Sequence, residues 1–317
     1  MIKRVLLITV IPILFSALLS YADSGDGGYA GAFLRMSLAA RALGMGGAFV
    51  GVADDGFGSS FNPAGVIQLK NPIFSTSYRF MELDRKLSYV SYHQSVKGGA
   101  AIGGYWINSG VGDVETRDDR GEVTGDLTNY ENAINICFAK RVIKELTVGI
   151  NIRYSQYNLA DINAYTIGFD YGMMAFPVEK LRLGLSVQNI GMKYNWVSSK
   201  YWQEFDQYGT DTDDEFPLNF SIGSSYLLLK DKLLLSLELD KNSKQDTRLH
   251  LGAEYKGLEY LAGRVGYNDG SLTFGLGINY QVRSVIFGLD YAYLSNQVEI
   301  NPDHILAMSL EFTELFK

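Results

Sequence analysis

From Ile73 onward, hydrophobic and polar positions alternate at period two in short runs that break at turn residues. Leu146, Val148, Ile150, Ile152 and Tyr154 are interleaved with Thr147, Gly149, Asn151 and Arg153. Leu272, Phe274, Leu276, Ile278 and Tyr280 are interleaved with Thr273, Gly275, Gly277 and Asn279. In a strand successive side chains point to opposite faces, so each run carries one apolar face and one polar or small face. The pattern predicts about fourteen strands, near residues 73–82, 86–95, 99–108, 130–140, 145–155, 163–175, 180–188, 217–228, 232–240, 247–255, 260–267, 271–281, 284–294 and 304–313. Alternation is poorest over 86–108. Most runs approach the ~9–11 residues that a tilted strand needs to cross a bilayer.

A soluble sandwich also alternates, with its apolar face in a core. A membrane barrel turns that face to lipid and the other to a lumen. The links separate the two. Tight connections such as "VKG", "VIKE", "FPVEK", "LKD", "KGLE" and "QVR" follow every second run, and mostly longer ones follow the others, 109–129 and 189–216 being the longest. Short turns on one side and long loops on the other mark a closed antiparallel transmembrane β-barrel, all-β, with both termini on the turn side. Leu146, Ile150, Tyr165, Phe169, Leu235 and Phe274 are expected to face outward. Tyr154, Tyr157, Tyr194, Tyr267, Tyr291 and Tyr293 suit an interfacial girdle. Arg153, Arg182, Arg248 and Arg264 share the inward face with Asp170, Glu238, Glu254 and Asp290, so they are expected to pair there.

The remaining composition narrows the class. Lys3 and Arg4, the apolar run Val5–Leu19 and Ser20-Tyr21-Ala22 read as a secretory signal peptide over 1–22, cleaved after Ala22. One cysteine excludes an internal disulfide framework. A formal net charge of −7 argues against nucleic acid as a partner. His93, His250 and His304 lie far apart, so no metal and no cofactor is expected.

Residues 23–72 precede the first strand, and 73–317 form the barrel. The stretch 43–65, "LGMGGAFVGVADDGFGSSFNPAG", is crowded with glycine yet apolar. Gly44, Gly46, Gly47 and Phe49 lack the third glycine of a dinucleotide fingerprint, and no βαβ unit surrounds them. Asp54 and Asp55 are adjacent, whereas a calcium loop spaces its carboxylates at alternate positions. Asn62, Pro63, Ala64 and Gly65 read as a helix start, with Asn capping and Pro in the first turn. A lumen between eight-stranded and porin size needs filling. The segment is therefore expected inside the barrel as a plug, with Phe49, Phe57 and Phe61 lining or blocking an apolar path.

"AGAFLRMSLAARALGMGGAFVGVADD…FNPAG" resembles the amino-terminal signature of the PorV/PorQ family, which is similar to FadL-type transporters of hydrophobic compounds; "LSVQNIG", "HLGAEY" and "RVGYNDGSLTFGLGI" extend the resemblance. It implies a fourteen-stranded outer-membrane barrel of a Gram-negative bacterium with an amino-terminal hatch. It further implies lipid as surroundings, a hydrophobic small molecule as ligand, and a lateral opening near the third strand, where Gly103 and Gly104 stand; their plainer reading is room for the plug. The loop aromatics Tyr194, Trp196, Tyr201, Trp202, Phe205 and Tyr208 form either a binding surface or a self-packed loop. PorV-like members bind secreted cargo of type IX secretion at their loops, so a cargo protein or secretion-system subunit is the alternative partner; the acidic run Asp211, Asp213, Asp214 and Glu215 would then face it. No enzyme is expected: His250 shares its face with Arg248 and Glu254 as a charge network under the plug, and Cys137 reads as a small buried thiol.

Overall fold

The alternating runs become strands in a computed structural model that describes residues 28–81, 84–160, 162–198, 208–258, 260–295 and 303–313; the signal-peptide reading lies outside these residues. The strands are β1 (Ile73–Phe80), β2 (Arg85–Val96), β3 (Ala100–Arg117), β4 (Val123–Ile143), β5 (Leu146–Leu159), β6 (Ile162–Val178), β7 (Leu181–Ile190), β8 (Lys193–Val197), β9 (Asp211–Glu215), β10 (Asn219–Leu228), β11 (Leu233–Asn242), β12 (Arg248–Leu258), β13 (Leu261–Asn268), β14 (Ser271–Val282), β15 (Val285–Leu294) and β16 (Asp303–Phe312). Among the described residues, fourteen of them close into one barrel, with β8 and β9 set apart as a hairpin between β7 and β10. Neighbours pair antiparallel, and β1 meets β16 from Ile73↔Glu311 to Phe80↔His304. Among the described residues, closure leaves the barrel without an edge strand.

The two faces separate as the period dictates. Ile150, Tyr165, Phe169, Leu235 and Phe274 are exposed on the outer face, and Leu146 is half-buried at the start of β5. Between them Thr147, Asn151, Arg153, Asp170, Glu238 and Thr273 are buried inside. Tyr154, Tyr267 and Tyr291 point outward. Tyr157 and Tyr194 do not join that girdle: Tyr194 is buried, with its ring 6.1 Å from that of Tyr157.

Two expected loops are strand. β3 and β4 run on past the neighbouring strands and pair out to Arg117↔Val123, so 109–129 is a projecting hairpin. β5 and β6 likewise pair to Leu159↔Ile162, leaving a short link. The β3–β4 extension carries polar residues such as Glu115, Thr116, Asp126 and Asn129 and shows no alternation, whereas Tyr157 of β5 and Ala164 of β6 pack with Tyr194.

The amino-terminal segment enters opposite to expectation. The carboxy end of β16 lies on the turn side, where the Phe312 amide donates to the Pro72 carbonyl at 2.9 Å. The first described residues lie at the loop end, where the Ala30 amide donates to Asp214 of β9 at 3.1 Å. Between those points come α1 (Ala32–Arg35), α2 (Ala40–Gly44) and two 3-10 turns, Gly58–Ser60 and Pro63–Gln68. The segment thus crosses from loop end to turn end against inward-facing wall residues. Its Phe33, Leu43, Met45, Phe49 and Phe57 share one buried cluster with Leu87, Tyr89, Tyr105 and Ile305 of the wall.

Candidate functional site

Glycines on the inner wall make room for residues 44–64. A Cβ added at Gly266 would stand 2.6 Å from Gly46 Cα, one at Gly184 2.9 Å from Gly51 Cα, and one at Gly172 2.7 Å from Pro63 Cδ. Gly149, Gly252 and Gly275 back onto the segment in the same way, at Pro63, Met45 and Gly44. Seven wall strands in all, β10 with Gly223 included, present an inward glycine to this one stretch. Gly46 and Gly47 have φ of 68° and 83°, which suits glycine alone without strain. The Gly46 amide meets Thr273 Oγ1 at 3.0 Å, and its carbonyl meets His250 Nδ1 at 2.9 Å. Glu238 accepts from the amides of Phe49 and Val50 at 2.7 and 2.8 Å.

A charge network reinforces the seat. Arg41 of α2 reaches Asp54 at 2.6 Å, Asp55 at 3.3 Å and Glu254 of β12 at 2.8 Å. Arg182 of β7 takes the other Asp54 oxygen at 2.8 Å, and Arg264 of β13 bridges Glu254 and Asp290 at 2.7 Å each. Arg153 pairs with Asp170 at 2.6 Å, and Arg248 with Asp240 at 2.6 Å. Burial in low dielectric is costly for a lone charge, so opposite pairing is what lets these groups stay inside. The adjacent carboxyls of the segment differ. Burial raises Asp55 to about 6 against the pull of Arg41, whereas at Asp54 burial is outweighed by Arg41 and Arg182, which hold it at about 2. Both carboxylates pair with arginine.

Asn62 fixes the bend in the segment. Its side chain accepts from the Ala64 amide at 3.1 Å and donates to the carbonyls of Val50 and Met173 at 3.1 Å each. The turn that Pro63 starts is 3-10 rather than α. Gly65 lies hard against Ala53, and Ala64 is fully buried.

Above this seat, toward the loop end, lies a cavity of about 310 Å³. Leu38, Leu43, Val50, Phe57 and Phe61 of the segment line it with Tyr89, Tyr105 and Ile107 of the wall. Its other side is polar, with Arg153, Asn189, Asn219, Asp240 and Arg248 among the residues there. The Phe57 ring lies tilted against Tyr89, centroids 4.7 Å apart, and Tyr89 OH donates to the Gly56 carbonyl at 3.2 Å. Phe49 is not on the cavity: it is fully buried beneath, edge-on to Phe61 at 5.1 Å with Arg41 5.3 Å over its ring.

Three comparisons bear on this arrangement. The structure resembles the crystal structure of the Pseudomonas putida toluene transporter TodX, with a TM-score of 0.58, 11% identity, and coverage of 92% of this chain and 97% of that one. It resembles the crystal structure of a Pseudomonas aeruginosa FadL homologue at TM-score 0.57, 10% identity, 86% and 97% coverage. The CymD monoaromatic hydrocarbon channel follows at 0.55, 13% identity, 85% and 95%. What the chain shares with them is the fold. No protein-family model and no curated protein matches it, so the PorV/PorQ resemblance stands without a family match.

The other expected site residues divide. Gly103 and Gly104 pair in register with His93 and Tyr92 on one side and Cys137 and Ile136 on the other, so no gap in the strand pairing exists there. A Cβ at Gly103 would lie 2.8 Å from His93 Cα and against its ring, so this glycine makes room for a buried histidine. Tyr194 is buried, its hydroxyl 2.7 Å from Ser155 Oγ; Trp196 packs edge-on to Tyr157 at 5.1 Å; Tyr208 is fully exposed; Tyr201, Trp202 and Phe205 lie outside the described residues. Cys137 is buried beside the Pro63 carbonyl. Sequence reasoning missed Arg41, the hub of the network, and Asn189. The latter sits in a bulge of β7, φ 66°, where two residues oppose Asp170 and the Asn189 amide donates to that carboxylate at 3.0 Å. A charged residue inside the apolar run "AARALG" was the available signal for Arg41.

Proposed function

We propose that this chain is an outer-membrane barrel that binds or passes hydrophobic small molecules, with residues 23–72 as its plug. The observation that carries the reading is the cavity at the loop end, walled on one side by apolar residues and closed below by the seated segment. Its volume of about 310 Å³ falls at the lower end of the range for small-molecule pockets, roughly 300–1,000 Å³. The outer face, lined by residues such as Ile136, Ile167, Phe274 and Leu276, suits lipid acyl chains. With short turns periplasmic, the loop end and its cavity face outward. The likeness to a toluene transporter and a monoaromatic hydrocarbon channel supports the ligand class.

The polar side of the cavity adds to this picture. A ligand there meets arginine and amide groups as well as aromatic rings, so a molecule with an apolar body and one hydrogen-bonding group fits better than a pure hydrocarbon. Two residues of the acidic run are engaged within the chain: Asp213 pairs with Lys193 at 2.7 Å and Asp214 accepts from the Ala30 amide. The purified barrel is to be titrated with toluene, p-cresol and a medium-chain alcohol while tyrosine fluorescence and calorimetry are followed. Saturable binding that weakens on Phe57→Ala supports the reading; no binding of any apolar compound removes it.

A further inference from the structure

The chain carries a formal net charge of −7, yet one rim of the barrel is positive. Tight turns join β2 to β3, β4 to β5, β6 to β7, β10 to β11, β12 to β13 and β14 to β15. Each has a cation in the turn or within three residues of it: Lys97, Lys144, Lys180, Lys230, Lys256 and Arg283 in that order. Lys180 is half-buried and the others are exposed. Lys140, Arg141 and Lys232 stand close by, against the acids Glu145, Glu179 and Asp231, so positive charge is in excess here. Lys180 reaches Asp231 at 3.6 Å and Lys256 reaches Glu254 at 3.3 Å. Among the described residues, Lys97, Lys144, Lys230 and Arg283 make no ion pair. Lys230 and Arg283 have φ of 56° and 51°, where glycine or asparagine is the unstrained choice, so these cations hold the turn tips at a conformational cost. Acids such as Asp118, Asp213 and Asp269 stand in the connections at the other end.

The outer face sets the level of these cations. Tyr226, Tyr255 and Tyr280 are exposed there at the turn ends of β10, β12 and β14, the position of an interfacial aromatic girdle. Lys230, Lys256 and Arg283 follow them within four residues. On β4, Lys140 succeeds Ile136 and Phe138 in the outward row and ends the apolar band with an ammonium group. In a bilayer the cations therefore emerge at the depth of the lipid phosphates. We propose that the turn rim is a docking ring for anionic phospholipid headgroups, of the phosphatidylglycerol kind, in the leaflet on that side. The proposal rests on the membrane placement of the barrel and not on its ligand. Basic residues beside the apolar band attract anionic lipid. A cation at every turn meets headgroups all round the wall, whereas a protein partner would call for one contiguous patch. Anchors spread around the rim in this way fix the depth of the barrel in the bilayer.

The barrel is reconstituted in phosphatidylcholine bilayers with spin-labelled phosphatidylglycerol or phosphatidylcholine, and electron spin resonance reads the fraction of each lipid held at the protein wall. Wild type is expected to prefer phosphatidylglycerol by about two- to fivefold. Lys97→Gln, Lys144→Gln, Lys230→Gln and Arg283→Gln together break no ion pair and are expected to bring that ratio close to one. Should this variant fail to fold, salt on wild type decides the same point, since at 1 M the screening length falls to about 3 Å and the preference is expected to vanish. Equal retention of the two lipids by wild type, or a preference that survives both the substitutions and the salt, overturns the ring. Retention of soluble polyglutamate without any lipid preference points to an acidic protein partner and likewise overturns it. A barrel that holds neither spin-labelled lipid contradicts the membrane placement, and the ring with it.

Discussion

Replacing Gly266 by alanine tests whether the wall glycines hold the amino-terminal segment. The added Cβ would stand 2.6 Å from Gly46 Cα, with the backbone nitrogen of Gly46 nearer still. Ordinary contact needs roughly 3.5–4.0 Å, so the segment must retreat by about 1 Å. Neither neighbour is a flexible side chain that can turn aside; both are backbone. That retreat stretches two hydrogen bonds, Gly46 N to Thr273 at 3.0 Å and His250 to Gly46 O at 2.9 Å, beyond bonding range. Overpacking costs about 1–3 kcal/mol and each lost bond about 0.5–1.5 kcal/mol, giving roughly 2–6 kcal/mol in total. Amide hydrogen exchange in detergent reads this directly: residues 43–52 should exchange at least about 30-fold faster, at 1.4 kcal/mol per factor of ten. Exchange in β11–β13 should change little. Gly263, on the same strand with no atom within 4 Å of its would-be Cβ, is the control, and Gly263→Ala should behave as wild type. Exchange of residues 43–52 in Gly266→Ala within threefold of wild type would refute the account of the seat.

Further outcomes follow from the same contacts. Arg153→Met leaves Asp170, fully buried, without its cation and should lower the thermal stability of the barrel by about 3–5 kcal/mol, whereas Arg153→Met/Asp170→Leu should recover most of it; heat-modifiability on gels measures both. Glu238→Ala strands the Phe49 and Val50 amides at about 1–3 kcal/mol each and should raise exchange at residues 49–50 selectively. Gly103→Ala should destabilise the β2–β3–β4 wall, and His93→Ala should not restore it, because the added Cβ would still stand 2.5 Å from the Tyr92 carbonyl oxygen and 2.8 Å from His93 Cα, both backbone; full recovery of thermal stability in the double variant would contradict this.

The barrel was legible because its strands are half-buried and alternate. The pattern alone places Ile150 and Phe274 outside and Arg153 and Glu238 inside. The glycines on the inner face were visible too, though not which residues they receive: Gly266 meets Gly46, some 220 positions away, and local sequence carries no such information. Paired charges were expected in the lumen, but Arg41 was not, because its partner Glu254 is 213 residues distant. The β3–β4 projection escaped notice because strands wetted on both faces lose the period that identifies them. The direction of the amino-terminal segment depended on Ala30 meeting Asp214, 184 residues later, which no periodicity reports.

Solute passage through the reconstituted barrel is the measurement that tests the central claim most directly. Purified protein in planar bilayers and in liposomes is compared with a variant lacking residues 28–69, for ion conductance and for uptake of radiolabelled toluene and p-cresol. The account predicts negligible conductance with saturable uptake of the apolar compounds for the intact chain, and a large unselective conductance once the segment is removed. Steady porin-like conductance from the intact chain, with apolar uptake no faster than in empty liposomes, would contradict it.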